Sequence, residues 1–152
     1  TGGRIKRAQP YVGDERFFFF FFDGLSNIDM NTQLDFHCKH GKAITMASVQ
    51  PDGRFGTFES NGAGSVTRFL EKPKGDGSWI NGGFFICEPK VFDYIPVGDE
   101  VVFEQQPLED LSAAGEMYSY QHHGFWKCMD TLRDKKEMND LWDSGKAPWK
   151  VI

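Results

Sequence analysis

Phe17-Phe18-Phe19-Phe20-Phe21-Phe22-Asp23-Gly24 is the stretch whose reading settles the fold class. Six consecutive aromatic residues have the length and ring content of a strand, and an unbroken apolar run predicts burial on both faces of a sheet. Asp23 and Gly24 end it. An acidic residue directly after a buried strand lies at the carboxyl edge of the sheet, where the loops of open α/β folds form ligand crevices. Asp-Gly is equally a common turn pair, so Asp23 alone reads as either.

The segments on either side repeat the alternation of strand and helix. Gly2, Gly3 and the basic residues Arg4, Lys6 and Arg7 suit a helix. Beyond Gly24, Asn31 reads as an N-cap, Met30, Leu34 and Cys38 recur at helical spacing, and Gly41 is placed to close the helix. Residues 43–49 follow as a strand. Two further segments, 55–59 and 65–71, flank the glycine-containing turn 61–64 and predict a hairpin. Residues 79–87 form another apolar strand, Pro89 opens a short helix through Tyr94, and 104–114 is a helix closed by Gly115. Met117 to Gln121 reads as a strand, and Thr131 with Asp134 caps a helix carrying Leu132, Met138, Leu141 and Trp142. We therefore expect a single α/β domain over residues 1–152, a mixed and mostly parallel sheet flanked by helices, with a hairpin inserted.

Bulk properties narrow the function classes. The 152 residues and 39% hydrophobic content suit one globular domain. A net charge of −5 disfavours broad attraction to nucleic acid or anionic membranes. The longest apolar run has six residues, far short of the roughly 18 that span a bilayer. Cys38, Cys87 and Cys128 lie far apart, which fits reduced thiols in a cytoplasm better than a disulfide framework or zinc site. Thr1 reads as an internal starting point, so a fragment is expected.

Several residues have the chemistry of a site. Asp130 precedes the capped helix, and with Asp23 it would supply two oxygen donors for a hard divalent cation such as magnesium, unless it only caps that helix. Glu71-Lys72-Pro73 leaves a hairpin strand. Pro73 predicts extended backbone at Lys72, whose ammonium would neutralise a phosphate while Glu71 accepts from sugar hydroxyls, the alternative being an exposed ion pair. Asn81-Gly82-Gly83 and Arg54-Phe55-Gly56 each suggest a bulge, a turn or a close approach of a ligand to the backbone. His37 and His40 read as a solvated helix face with no carboxylate nearby, and His122 and His123 receive no role.

Taken in order, these signals resemble the sugar-1-phosphate nucleotidyltransferase family, in particular its branch that acts on glucose 1-phosphate with CTP. The residues that carry the resemblance are Thr1-Gly2-Gly3-Arg4, Asp23-Gly24, Arg54-Phe55-Gly56, Glu71-Lys72-Pro73-Lys74-Gly75-Asp76-Gly77, Asn81-Gly82-Gly83-Phe84-Phe85 and Trp126 through Met129-Asp130-Thr131-Leu132-Arg133-Asp134, and the likeness extends to Gly145-Lys146-Ala147-Pro148-Trp149-Lys150. It implies a partial Rossmann-like fold and transfer of a cytidylyl group from CTP to α-D-glucose 1-phosphate, giving CDP-glucose and pyrophosphate for surface-polysaccharide biosynthesis. It implies magnesium on Asp23 and Asp130, and Lys72 on the sugar phosphate. Glu71, Asn81, Gly82 and Gly83 would line the glucose pocket, Gly56 would approach the sugar, and Gly2 or Gly3 would lie against the cytosine. Homo-oligomers are implied as well. Two features depart from the family: the glycine-rich loop Gly-Gly-x-Gly-Thr-Arg-Leu is absent, and Phe21-Phe22 stands where Tyr-Gly is usual. Without that loop the chain alone is expected to be inactive. A noncatalytic sugar-phosphate-binding or assembly domain, or a related enzyme using UTP or dTTP, are the competing readings.

Overall fold

The computed structural model describes residues 1–53 and 56–150, and only the backbone of residues 76 and 77. Arg54 and Phe55 of the Arg54-Phe55-Gly56 motif lie outside the described residues. In order the elements are α1 (Gly2–Val12), β1 (Phe17–Phe20), β2 (Gly24–Ser26), α2 (Met30–His40), β3 (Ile44–Val49), β4 (Thr57–Ser60), β5 (Val66–Leu70), a 3-10 turn (Lys74–Gly77), β6 (Ile80–Cys87), a 3-10 helix (Pro89–Tyr94), α3 (Gln106–Ala113), β7 (Met117–Gln121), β8 (Trp126–Cys128) and α4 (Leu132–Asp143). The expected α/β alternation and the inserted hairpin are both present. One sheet has the order β1-β6-β3-β7, with β1 antiparallel to β6, and β2-β8 and β4-β5 form separate two-stranded ribbons.

The chain forms two compact units. The first comprises Thr1–Phe22, Asp29–Ala47 and Gly83–Tyr120. Its core gathers Ile44, Phe85, Val91, Phe92, Phe103 and Leu111, all fully buried. The phenylalanine run feeds this core with only half its rings, contrary to the expected burial on both faces. Successive side chains of a strand point to opposite faces, and β1 is an edge strand paired only with β6 among the described residues. Phe17 stacks on Phe92 at 5.1 Å and Phe19 on Phe85 at 5.5 Å, while Phe18 and Phe20 remain 41% and 40% exposed. After Phe20 the run leaves the strand. The Phe21 N–H donates to the Gly83 carbonyl at 3.1 Å, and the Phe21 ring lies 2.7 Å from where a Cβ on Gly83 would stand. Gly83, at φ 78°, therefore meets two demands at once: a left-handed backbone and no side chain. β6 runs through Asn81, Gly82 and Gly83 without ending.

Helix α2 corrects two further expectations. Its N-cap is Asp29, not Asn31: the Asp29 carboxylate accepts from the Asn31 N–H at 2.9 Å, the Thr32 N–H at 3.2 Å and the Thr32 hydroxyl at 2.9 Å. Those bonds, the Thr32 hydroxyl's first, hold the Asp29 pKa below its usual value. Gly41 ends the helix in the left-handed conformation, as predicted. The buried face, however, is polar. Gln33 and His37 are fully buried, whereas Met30 and Leu34 are half-buried and Cys38 is exposed. The Gln33 amide donates to the Phe84 carbonyl at 3.3 Å. His37, read from sequence as solvated and without a carboxylate, instead bonds Thr45 Oγ1 at 2.7 Å and Glu88 Oε1 at 3.1 Å. Its carboxylate partner lies 51 residues away in sequence, beyond the reach of any local pattern.

Candidate functional site

The second unit comprises Asp23–Ile28, Ser48–Gly82 and the chain from Gln121 onward. Its organising element is the ribbon β2-β8, which pairs Gly24 with Cys128, Leu25 with Lys127 and Ser26 with Trp126. The polar sequence Ser26-Asn27 fixes one end. The Ser26 hydroxyl donates to the Phe125 carbonyl at 2.7 Å, and the Asn27 side-chain oxygen accepts from the Phe125 N–H at 2.8 Å and lies 3.0 Å from His122 Nε2. Gly124 fits because a Cβ there would meet that oxygen at 2.5 Å. His122 thus has a structural task that sequence reasoning did not assign; burial pushes its pKa down.

At the other end of the ribbon the Met129 N–H donates to the Asp23 carbonyl at 2.7 Å. Asp23 and Asp130, distant in sequence, are thereby carried on adjacent strand ends. Both are exposed. Asp130 takes no part in capping α4: Thr131 and Asp134 do that through a reciprocal capping box, with the Asp134 N–H 3.2 Å from Thr131 Oγ1 and the Thr131 N–H 3.0 Å from the Asp134 carboxylate. The capping alternative for Asp130 is removed. One of its oxygens accepts from the Cys128 thiol at 3.0 Å. Burial, reinforced by that carboxylate, pushes the Cys128 thiol up to about 11. Among the described residues no three His, Cys, Asp or Glu side chains form a metal-binding group. Two exposed carboxylates with oxygen donors fit magnesium, which usually takes one or two protein ligands and completes its shell with water and substrate phosphates.

Hairpin β4-β5 delivers Glu71 and Lys72. Gly56 lies under them, since a Cβ there would stand 2.7 Å from the Phe69 ring and 3.1 Å from a Glu71 carboxylate oxygen. Lys72 Nζ is 3.9 Å from Glu71 Oε1 and both side chains are largely exposed, so the pair contributes little to stability. The Lys72 backbone is not extended, as Pro73 led us to expect, but left-handed at φ 45°. The physical reason is a tight crossing of two loops. The Gly53 backbone approaches Lys72 and Pro73 so closely that a Cβ on Gly53 would fall 2.7 Å from the Lys72 carbonyl carbon, and the Gly75 N–H donates to the Pro51 carbonyl at 2.6 Å.

A cleft of about 820 Å³ opens beside these loops, lined among others by the 51–53 turn, Lys72, Ile80, Trp126, Cys128 and Arg133. That volume is within the range of small-molecule sites. It takes in Lys72 but not Asp23 or Asp130, although Cys128 and Thr131 on either side of Asp130 line it. Gly82 reaches it indirectly, accepting at its carbonyl from Trp126 Nε1 at 2.8 Å. Gly2, Gly3 and Gly83 belong to the first unit. Gly2 and Gly3 are buried there under residues 98–103, where a Cβ on Gly2 would meet Val101 at 2.6 Å. Arg133 and Trp126 were overlooked as cleft residues. Both stand in or beside the Met129–Asp134 string, but only the fold shows which of its side chains line a cavity.

Comparison with known proteins gives a consistent picture. A family model described as nucleotidyl transferase matches residues 3–140. The chain is 50% identical over 152 residues to a glucose-1-phosphate cytidylyltransferase of Salmonella typhimurium, covering 99% of this chain and 58% of that protein. It is 32% identical over 139 residues to a mannose-1-phosphate guanylyltransferase of Mycobacterium tuberculosis, covering 88% of this chain and 39% of that protein. The crystal structure of HddC from Yersinia pseudotuberculosis matches with a TM-score of 0.67 and 21% identity, over 93% of this chain and 62% of HddC. The chain thus spans little more than half the length of the Salmonella relative.

Proposed function

The chain belongs to the nucleotidyl transferase family, and on that premise we propose that it is part of an enzyme that transfers CMP from CTP to α-D-glucose 1-phosphate, releasing pyrophosphate. The 50% identity to a protein of that name supports the substrate pair. The observation that supports the reading is the ribbon contact from the Met129 N–H to the Asp23 carbonyl, which pairs Asp23 with the residue just before Asp130.

In this reading an oxygen of the sugar phosphate attacks the α-phosphorus of CTP, and the bond to the β-phosphate oxygen breaks. Two polyanions must meet for this to happen, so charge neutralisation and alignment supply most of the catalysis. Asp23 and Asp130 would hold magnesium, which would supply positive charge to offset the phosphates. Lys72 neutralises the sugar phosphate as a point charge, and its left-handed backbone is the kind of strain that functional positions retain. Glu71 beside Gly56 accepts from sugar hydroxyls. Asn81 and Gly82 line the glucose pocket, whereas Gly83, covered by the Phe21 ring, and Gly2 and Gly3, buried under residues 98–103, are not carried into the proposal.

We also propose that the two units act as parts of a single domain, because the chain passes back and forth between them. A cytoplasmic homo-oligomer completes the proposal; the free state of Cys38, Cys87 and Cys128 agrees with a reducing compartment. The test is turnover by a protein that carries this sequence together with residues upstream of Thr1, supplied with CTP, glucose 1-phosphate and magnesium. CDP-glucose and pyrophosphate are expected, and Asp130→Asn is expected to lower turnover at least a thousandfold without changing the thermal midpoint. A well-folded extended protein that forms no product, or an Asp130→Asn variant with full activity, overturns the reading.

A further inference from the structure

The cations around the cleft differ in how well the fold has occupied them. Lys127 is engaged by Glu137 and lies 3.9 Å from Asp134. Among the described residues Lys72 is held only by the long 3.9 Å contact with Glu71. Arg133 lines the same cleft and has no hydrogen-bond or ion-pair partner among the described residues. Its position works against the helix that bears it. Arg133 is the second residue of α4, where the partial positive charge of the helix N-terminus disfavours a cation, and the acidic residue of that turn, Asp134, is already committed to the capping box. Exposed arginines are commonplace, but an unpaired one at an unfavourable helix position on the rim of a cleft is a placement that stability does not explain. The lining also carries the carboxylates Asp52, Asp134 and Glu137, the last two facing Lys127, and an apolar part formed by Trp126 and Ile80. The Trp126 N–H is satisfied by Gly82, and Ile80 is partly exposed beside it.

We propose that Arg133 binds phosphate in this cleft, its planar guanidinium forming paired hydrogen bonds to a phosphate ester that Lys72 neutralises as a point charge. The proposal deepens the nucleotidyltransfer reading and rests on it for the identity of the ester. Two sources share the chemistry: the sugar phosphate that attacks and the pyrophosphate that leaves. The aromatic and aliphatic wall favours the first, because a sugar ring presents C–H groups to such a surface.

Titration calorimetry of the 152-residue chain with α-D-glucose 1-phosphate, glucose and inorganic pyrophosphate tests this. The wild-type chain is expected to bind glucose 1-phosphate and not glucose. Arg133→Gln is expected to weaken that binding at least tenfold while the thermal midpoint stays level or rises, because a cation has left the helix N-terminus; Arg133→Lys is expected to fall between. Weakening confined to pyrophosphate also supports the phosphate site and assigns it to the leaving group. The proposal is overturned if Arg133→Gln binds as the wild type does, if it loses binding and thermal stability together, or if the wild-type chain binds neither phosphate. Should Lys72→Ala alone weaken binding, the Arg133 role falls and the nucleotidyltransfer reading stands. Should the Arg133 effect hold while an upstream-extended protein forms no CDP-glucose, the phosphate site stands and that reading falls.

Discussion

Lys72 holds a left-handed backbone conformation that residues bearing a Cβ rarely adopt, directly before a proline, which restricts it further. Such strain costs on the order of 1 kcal/mol or more and persists where surrounding contacts impose it. Here the crossing of the Gly53 and Gly75 loops does so. Lys72→Gly should therefore leave the unfolding free energy unchanged or raise it by up to about 1 kcal/mol, since glycine adopts positive φ without penalty. Turnover of the extended protein should fall at least a hundredfold. Denaturant unfolding and product assays on one preparation check both halves, and a variant that loses stability along with activity contradicts the assignment of strain to Lys72. Lys72 and Arg133 share a property. Each is a cation placed where local backbone or helix electrostatics would not choose it.

Helix α2 shows at the level of an element what was legible in the sequence and what was not. Its presence and its Gly41 terminus follow from local chemistry and were read correctly, although it starts two residues earlier than the Asn31 cap implied. Its buried face was not, because Gln33 and His37 are tied to Phe84, Thr45 and Glu88, whose positions only the fold supplies. The hydrogen bonds also fix the direction of the protons. The Lys42 N–H donates to His40 Nδ1 at 3.0 Å, so His40 Nε2 carries the proton that goes to Thr45 Oγ1 at 2.6 Å; the Thr45 hydroxyl then donates to His37 Nδ1, and His37 Nε2 donates to Glu88. In this arrangement each ring carries a single proton, and a second proton on His40 sets its Nδ1 against the Lys42 N–H. Burial pushes the pKa values of His37 and His40 below 6.5, while Glu88, which burial alone would raise, is held low by Arg16 and His37. The unfolded chain binds more protons than the folded one just below that value. Stability should accordingly be full above about pH 6.5 and decline as the pH falls further. Thermal midpoints recorded from pH 8 to pH 5 check this, and a midpoint that holds level or climbs on acidification contradicts it.

At the scale of the whole molecule, the order of strands, helices and hairpin was accessible because turn residues and apolar runs are local signals. The ribbon β2-β8 was not: each of its strands has only three residues, and their pairing spans about a hundred positions of chain. The six phenylalanines misled in an instructive way, since an apolar run reports what a strand can bury rather than what covers it. Phe18 and Phe20 face away from the core on an edge strand, an arrangement that invites edge-to-edge association. Replacing both with threonine should raise the concentration at which sedimentation detects assemblies of the chain, at a cost of roughly 1–2 kcal/mol because both rings are partly exposed; an unchanged sedimentation profile would show that this edge is not the adhesive one. The same ribbon has a consequence for tolerance to change. Its two strands act as a ruler that fixes the register of Asp23 against Met129, the residue before Asp130, clamped at the far end by Asn27 and Phe125. Side chains such as Leu25 or Lys127 can be exchanged without altering the count, whereas inserting or deleting one residue in either strand turns one carboxylate to the opposite face.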